Sequence, residues 1–280
     1  MKGSRLLIIF IIVLVLIGCT NNTPIPIVNF QKSYPISKIG SLSIVLDDGS
    51  INIQGDGASD EIRIESDVDI SKEIKIANSN GMDQYLLDFK DQATAPKLLQ
   101  ITLPAGISLS IDSFESKIEI ENLSGGIQIE SVASPIGLIN ISGTVKIKDE
   151  RGNIDILNSA GVMDIVGIHG VFNFSDCHGL ISSNTILGKL IYSGTIRGND
   201  EIIFETDHGP VVINLSNNSN VTLTGHSTSG EVISTFPGMK INLRDVIGQV
   251  GDGLGKIKIR TVSGTITLQP LGQPIKSGKP

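Results

Sequence analysis

The 280-residue sequence contains no tryptophan, and aromatic residues make up 4% of it. Stacked carbohydrate faces and tight protein interfaces usually draw on Tyr and Trp anchors, so neither is expected in that form. Only two cysteines occur, Cys19 and Cys177. No eleven-residue window after the amino-terminal apolar run shows a helical period, and no Ser, His and Asp arrangement, phosphate loop or basic stripe is present. The glycine-rich stretch 251–255 leads into KIKI, a strand, whereas a phosphate cradle needs a helix amino terminus. Acidic residues outnumber basic ones 29 to 22, a net charge of −7, which argues against nucleic acid as a partner.

What is present begins with LLIIFIIVLVLI, residues 6–17, behind Lys2 and Arg5 and ahead of Gly18 and Cys19. Twelve apolar residues are too few to span a bilayer comfortably, which takes about 17–25, and they fit the apolar core of a secretion signal. Leu16, Ile17, Gly18 and Cys19 resemble a bacterial lipobox. That resemblance implies cleavage of residues 1–18 and a lipid on Cys19 that holds the chain to a membrane, facing the extracytoplasmic side. Without Lys2 and Arg5, 20 basic residues would face 29 acidic ones, a net charge of −9. Lipidation would also leave Cys177 without a disulfide partner, so packing and hydrogen bonds must hold the fold. Residues 19–38 carry three prolines and several small polar residues, the composition of a flexible tether. Residues 269–280 carry three more and have no apolar rhythm, so a disordered tail is expected there.

Between them, residues 39–268 repeat one pattern: a glycine or turn residue, then Ile, Val or Leu at alternate positions, as in GTVKIK (143–148) and GNIDIL (152–157). Alternation of this kind predicts strands, and the body reads as all-β. Glycines at 143, 152, 161, 170, 179 and 188 recur at a constant interval of nine. Hairpins tolerate variable loops, whereas stacked parallel coils must keep one path length so that each corner lies on the last. The interval therefore predicts a parallel β-helix or β-solenoid, with about five residues per strand, about four per corner and roughly 18 per coil. In the register this sets, Val145, Ile147, Ile154, Ile156, Met163, Ile165, Phe172 and Phe174 point inward. Ten to twelve such coils at about 4.8 Å would make a rod on the order of 50–60 Å long. The charged loops within residues 39–97 mark an irregular first section that covers the open end of the stack.

The units SGTVKIK (142–148), RGNIDIL (151–157), SGEVIS (229–234) and VSGTITL (262–268) resemble those of the putative-adhesin group of bacterial envelope proteins, which includes the head domain of autotransporter adhesins. The resemblance spans about residues 42–268 and implies an extracytoplasmic β-solenoid body with no catalytic residues to carry over.

Candidate chemistry is sparse. His169, His178 and His208 each precede a glycine, with Asp176, Cys177 and Asp207 nearby. Half a coil separates His169 from His178, which places them at opposite edges, and strand alternation turns Cys177 away from Asp176 and His178. They read as solvated corner residues, with Cys177 a buried small residue. Calcium β-rolls require G-G-x-G-x-D units, which GTVKIKDER, GNIDILNSA and GVMDIVGIH do not supply. Asp149, Glu150 and Arg151 form the best acid–base cluster and read as a charged turn. No catalytic, metal or cofactor site is therefore expected, and Cys19 is the one modified residue. The expectation is a non-enzymatic binding or structural protein of the cell envelope that engages a protein or glycan. The alternatives are a carbohydrate-active β-helix enzyme, by proton abstraction or glycosidic cleavage, and an envelope-stress signalling partner.

Overall fold

The structure is a computed structural model that describes residues 28–35, 39–79, 82–90, 92 and 94–272. The signal segment, the lipobox and Cys19 lie outside the described residues. The described chain is all-β. Its first section comprises β1 (Phe30–Pro35), β2 (Ile39–Leu46), β3 (Ser50–Asp56), β4 (Glu61–Ser66), β5 (Ile74–Ser79), β6 (Met82–Asp88) and β7 (Leu98–Pro104). Next come β8 (Ser108–Ser113), β9 (Lys117–Glu121), β10 (Ile127–Ser131), β11 (Ile136–Ile139), β12 (Ser142–Asp149) and β13 (Ile154–Leu157). They are followed by β14 (Ala160–Gly167), β15 (Val171–Ser175), β16 (His178–Thr185), β17 (Lys189–Gly194), β18 (Glu201–Thr206) and β19 (Val211–Leu215). The last section holds β20 (Val221–Ser227), β21 (Val232–Ser234), β22 (Lys240–Asn242), β23 (Asp245–Val250), β24 (Gly255–Thr261) and β25 (Ile266–Pro270).

Strands that follow one another through the centre alternate between two sheets. Sheet A runs β1-β4-β7-β3-β9-β11-β13-β15-β17-β19-β25-β21, and sheet B runs β22-β23-β20-β24-β18-β16-β14-β12-β10-β8-β2-β6-β5. In sheet B, Ile127, Val145, Met163 and Ile181 stand side by side in parallel strands, each 18 residues from the last. In sheet A, Ile118, Ile136, Ile154, Phe172 and Leu190 do the same. A coil is thus 18 residues, and the nine-residue beat is two interleaved columns of corners. With the coils of the two end sections, whose spacing in sequence differs, ten coils stack, a rod of about 50 Å at the usual strand spacing.

The glycines sit where one coil touches the next. A Cβ built on Gly161 would collide with the carbonyl of Gly143, and one on Gly170 with that of Gly152; both glycines also hold positive φ, 136° and 115°. A side chain at either position would force the stack apart.

The predicted inward residues fill the bore: Val145, Ile147, Ile154, Ile156, Met163, Ile165, Phe172 and Phe174 are all buried. At Gly167 sheet B has no side chain, and the Phe172 ring stands where a Cβ would be. Beside it Phe174 and Phe204 pack with ring centroids 5.3 Å apart.

Both ends depart from sequential winding. The chain forms coil β2–β3, steps outward to make β6–β7, then crosses back so that β8–β9 stacks on the opposite side of β2–β3. At the other end β20–β21 lies outermost, and the later coil β24–β25 fits between it and β18–β19. Antiparallel strands end sheet B on both sides, β5 on β6 and β22 on β23 on β20, and sheet A on its first side, β1 on β4 and β4 on β7; the other edge of sheet A is the short parallel strand β21.

Two expected boundaries move. Residues 30–35, assigned to the tether, form β1, because Phe30, Lys32 and Tyr34 alternate and Tyr34 packs edge-on against Tyr85 at 5.4 Å. Beyond the expected end at Leu268, β25 continues to Pro270, and Leu271 N–H donates to Leu215 O at 2.8 Å.

Candidate functional site

The corners come first, because most predicted polar residues lie there. At the corner leading from sheet B to sheet A, a buried Ser, Thr or Asp accepts a hydrogen bond from the backbone three residues on. Thr185 Oγ1 receives Gly188 N–H at 3.0 Å, Thr206 Oγ1 receives Gly209 N–H at 3.0 Å, and Thr261 Oγ1 receives Gly264 N–H at 2.8 Å. Ser227 does the same for Gly230 at 2.9 Å. Asp149 belongs to this column: its carboxylate accepts from Gly152 N–H at 2.7 Å, Arg151 N–H at 3.1 Å and Ser131 Oγ at 3.0 Å. The predicted charged turn at 149–151 is therefore a corner in which Asp149 is fully buried as a backbone cap, while Arg151 remains at the surface. The signal [S/T/D]-x-x-G was visible in the sequence, as TILG, TDHG, TVSG, STSG and DERG.

The opposite corner holds Asn122, Asn140, Asn158 and Asp176, 18 residues apart, at φ of 60°, 55°, 51° and 49°. This is the left-handed region that Asn and Asp tolerate best among residues with a side chain. Asn140 Nδ2 donates to Asn122 Oδ1 at 2.9 Å along the column. The next residue of each corner turns inward, which buries Cys177 against the carbonyls of Ile156 and Ser175 at 3.3 and 3.5 Å. Burial pushes its thiol up to about 11, so it is not a poised nucleophile. Burial likewise raises Tyr192, whose hydroxyl lies 3.1 Å from Cys177 O and 3.3 Å from Thr195 O.

His169 and His178 lie at opposite corners, as the coil predicts. His178 departs from the solvated reading, because its Nδ1 is 2.9 Å from an oxygen of the buried Asp200. Asp200 also accepts from Gly179 N–H at 2.8 Å and Arg197 N–H at 2.7 Å. It lies in a three-residue excess that lengthens this coil step to 21, Leu180 standing beside Glu201, and that insertion brings it to the corner. His208 meets Ser263 Oγ at 2.8 Å. Among the described residues, no group of three or more His, Cys, Asp or Glu side chains could hold a metal ion.

Of the open depressions on the outward faces, two lie where an antiparallel strand joins the parallel stack. One, of about 450 Å³ on sheet B, spans β18, β24, β20 and β23. Across it run Glu205, Arg260, His226 and Asp245, one from each strand in register. Their charges meet one another: His226 Nδ1 is 2.7 Å from Asp245 and Arg260 is 3.9 Å from Glu205. Lys258 donates to Glu201 at 3.0 Å and holds its carboxyl below the usual range.

The other depression, of about 390 Å³ on sheet A, spans β4, β7, β3 and β9. Here the register makes a grid of two rows. Glu65, Gln100, Asn52 and Glu119 form one row and Arg63, Thr102, Gln54 and Glu121 the other. Arg63 pairs with Glu61 at 3.4 Å and Glu119 with Lys117 at 2.6 Å. Among the described residues, no side chain pairs with Glu65 or Glu121. The grid could not be read from the sequence because its strands are neighbours in space but not consecutive along the chain; the alternating polar residues were visible, but their neighbours were not.

No protein-family model matches the chain, and no curated protein matches it. Three solved structures align along most of its length. One, described as a putative cell adhesion protein from Clostridium sporogenes, is 12% identical, with coverage of 86% of this chain and 99% of that one and a TM-score of 0.25. A putative adhesin from Bacteroides fragilis is 10% identical over 85% and 96%, with a TM-score of 0.44. A putative adhesin from Parabacteroides merdae is 10% identical over 86% and 95%, with a TM-score of 0.25. The chain is thus similar in extent to bacterial proteins of adhesin type, at identities too low to transfer a role.

Proposed function

We propose that the chain is a non-enzymatic, adhesin-like binding element of the bacterial cell envelope, carried outside the cytoplasm on a lipid at Cys19. The observation that carries this reading is the sheet A depression, where four strands of a rigid stack hold eight polar side chains in one outward grid. A surface of this kind binds through many weak contacts, and the stack fixes their positions. The lipobox supports the anchor.

A carbohydrate-active enzyme is the second reading. Glu119 and Glu121 favour it, because they lie on one face of β9 one alternate step apart, about 7 Å between backbones, in an open depression. Lys117 engages Glu119, which suits a structural pair better than a free acid.

Two measurements test these readings. The mature chain, immobilised, should capture a component from envelope fractions or glycan arrays without releasing cleaved sugar; steady turnover of a bound glycan would replace the first reading with the second. Fatty-acid labelling in a bacterial host should tag the wild type and not Cys19→Ser; equal labelling of both would remove the anchor.

A further inference from the structure

The two depressions have the same layout, four strands wide and two rows deep, but they differ in how their charges are spent. On sheet B each ionic group faces an opposite charge from the same surface. On sheet A, Glu65 and Glu121 stand at diagonally opposite corners of the grid with no partner among the described residues, and Gln100, Asn52, Gln54 and Thr102 lie half-buried between them. Three strand steps and one alternate step separate the two carboxylates, about 16 Å between their backbones.

Resting on the envelope-binding reading, we propose that this grid binds an extended amino-sugar oligosaccharide, with protonated amines at Glu65 and Glu121 and hydroxyl groups on the amides and the threonine between them. Two uncompensated carboxylates on an acidic protein would repel uronate and phosphate polymers. An added peptide strand has no place here, because the depression lies inside the sheet, where β4, β7, β3 and β9 already spend their N–H and C=O groups on one another. A ligand must therefore be read by side chains alone. Asn and Gln each offer donors and an acceptor, which suits hydroxyls that both give and receive. Recognition is polar, without an aromatic platform, in keeping with the absence of tryptophan.

Calorimetry of the mature chain with fully deacetylated chitosan oligosaccharides, fully acetylated chito-oligosaccharides and oligogalacturonates tests this. The amine-bearing probe should bind, lose affinity as salt rises, and bind about fivefold or more weakly to the double variant Glu65→Gln, Glu121→Gln. Glu205→Gln on the opposite sheet should leave binding unchanged. Equal binding of the amine probe by the double variant, or stronger binding of the uronate, overturns the proposal, as does no binding by a chain whose melting curve shows it folded. Capture of another envelope component, insensitive to Glu65 and Glu121, would overturn this proposal and leave the broader reading standing; silence toward every envelope fraction would remove both.

Discussion

Between β10 and β17 every coil lies on the coil that precedes it in sequence, and each step is 18 residues long. At the two ends the order is exchanged: β2–β3 lies inside the later β6–β7, and β24–β25 slips between β18–β19 and the earlier β20–β21. The corner chemistry nevertheless follows space rather than sequence. A Cβ on Gly264 would strike the carbonyl of Gly209, and one on Gly230 the carbonyl of Gly264, so the column continues through the exchange. Close stacking is thus a rule each coil obeys toward whichever neighbour it meets, and connecting loops decide which neighbour that is.

Four substitutions or titrations sharpen the contrast between centre and ends. The largest effect belongs to the central column: Gly161→Val should cost about 3–5 kcal/mol in denaturant unfolding, through the carbonyl clash and the positive φ together. Gly57, between β3 and β4, has nothing within 4 Å of an added Cβ, so Gly57→Ala should stay within about 0.5 kcal/mol. A comparable loss at both sites would mean that the central column carries no special contact.

Next in size is the buried corner cap. Asp149→Ala strands the buried N–H of Gly152 and the Ser131 hydroxyl, while Arg151 N–H keeps the carbonyl of Val132, and the change should cost about 3 kcal/mol by the same measurement. At the far end, His226→Ala removes an exposed pair and should cost less than about 1 kcal/mol. Reversal of that ranking would place the fold's support at the hairpin instead.

Alkaline titration comes third. The Cys177 thiol is held up from 9.0 to about 11, so its contribution is complete below pH 9 and is lost as pH rises from 9 to 11, because the unfolded chain ionises first. The loss should be about 2 kcal/mol, and Cys177→Ala should flatten it, leaving the decline that Tyr192 adds above pH 10. A native chain that thiol reagents modify at neutral pH would contradict this.

The smallest effect has the opposite sign. Ser183, the register neighbour of Phe204, is buried with a hydroxyl that has no partner, so Ser183→Ala should be neutral or stabilising by up to about 1 kcal/mol in thermal melts. Clear destabilisation would show that the hydroxyl is satisfied in solution.

The centre was legible in the sequence because three independent signals agreed there: alternation, glycine interval and inward Ile, Val and Phe. From Val145 to Phe174 the inward set follows from counting alone. The ends were not legible, since NVTLTGHSTSGEVIS (220–234) and GKIKIRTVSGTITL (255–268) share the same alternation and the same corner. Nothing local says which of the two docks on β18–β19. The grid on sheet A was hidden for the same reason, because Asn52 and Gln100 become neighbours only when β7 lies outside β3. The capping residues were overlooked because a polar side chain before a glycine reads as a solvated turn until the bore is known to be wide enough to take it.

A helix of identical rungs has no internal instruction to stop, and an open rung invites the next molecule to continue it. Reversed strands end three of the four sheet edges, with Lys32 and Pro35 on β1, Lys75 on β5 and Lys240 on β22, and leave the three-residue β21 as the one parallel edge among the described residues. A rod ended this way offers little template for a further copy, so a shape that resembles a fibre's building block carries its own stops.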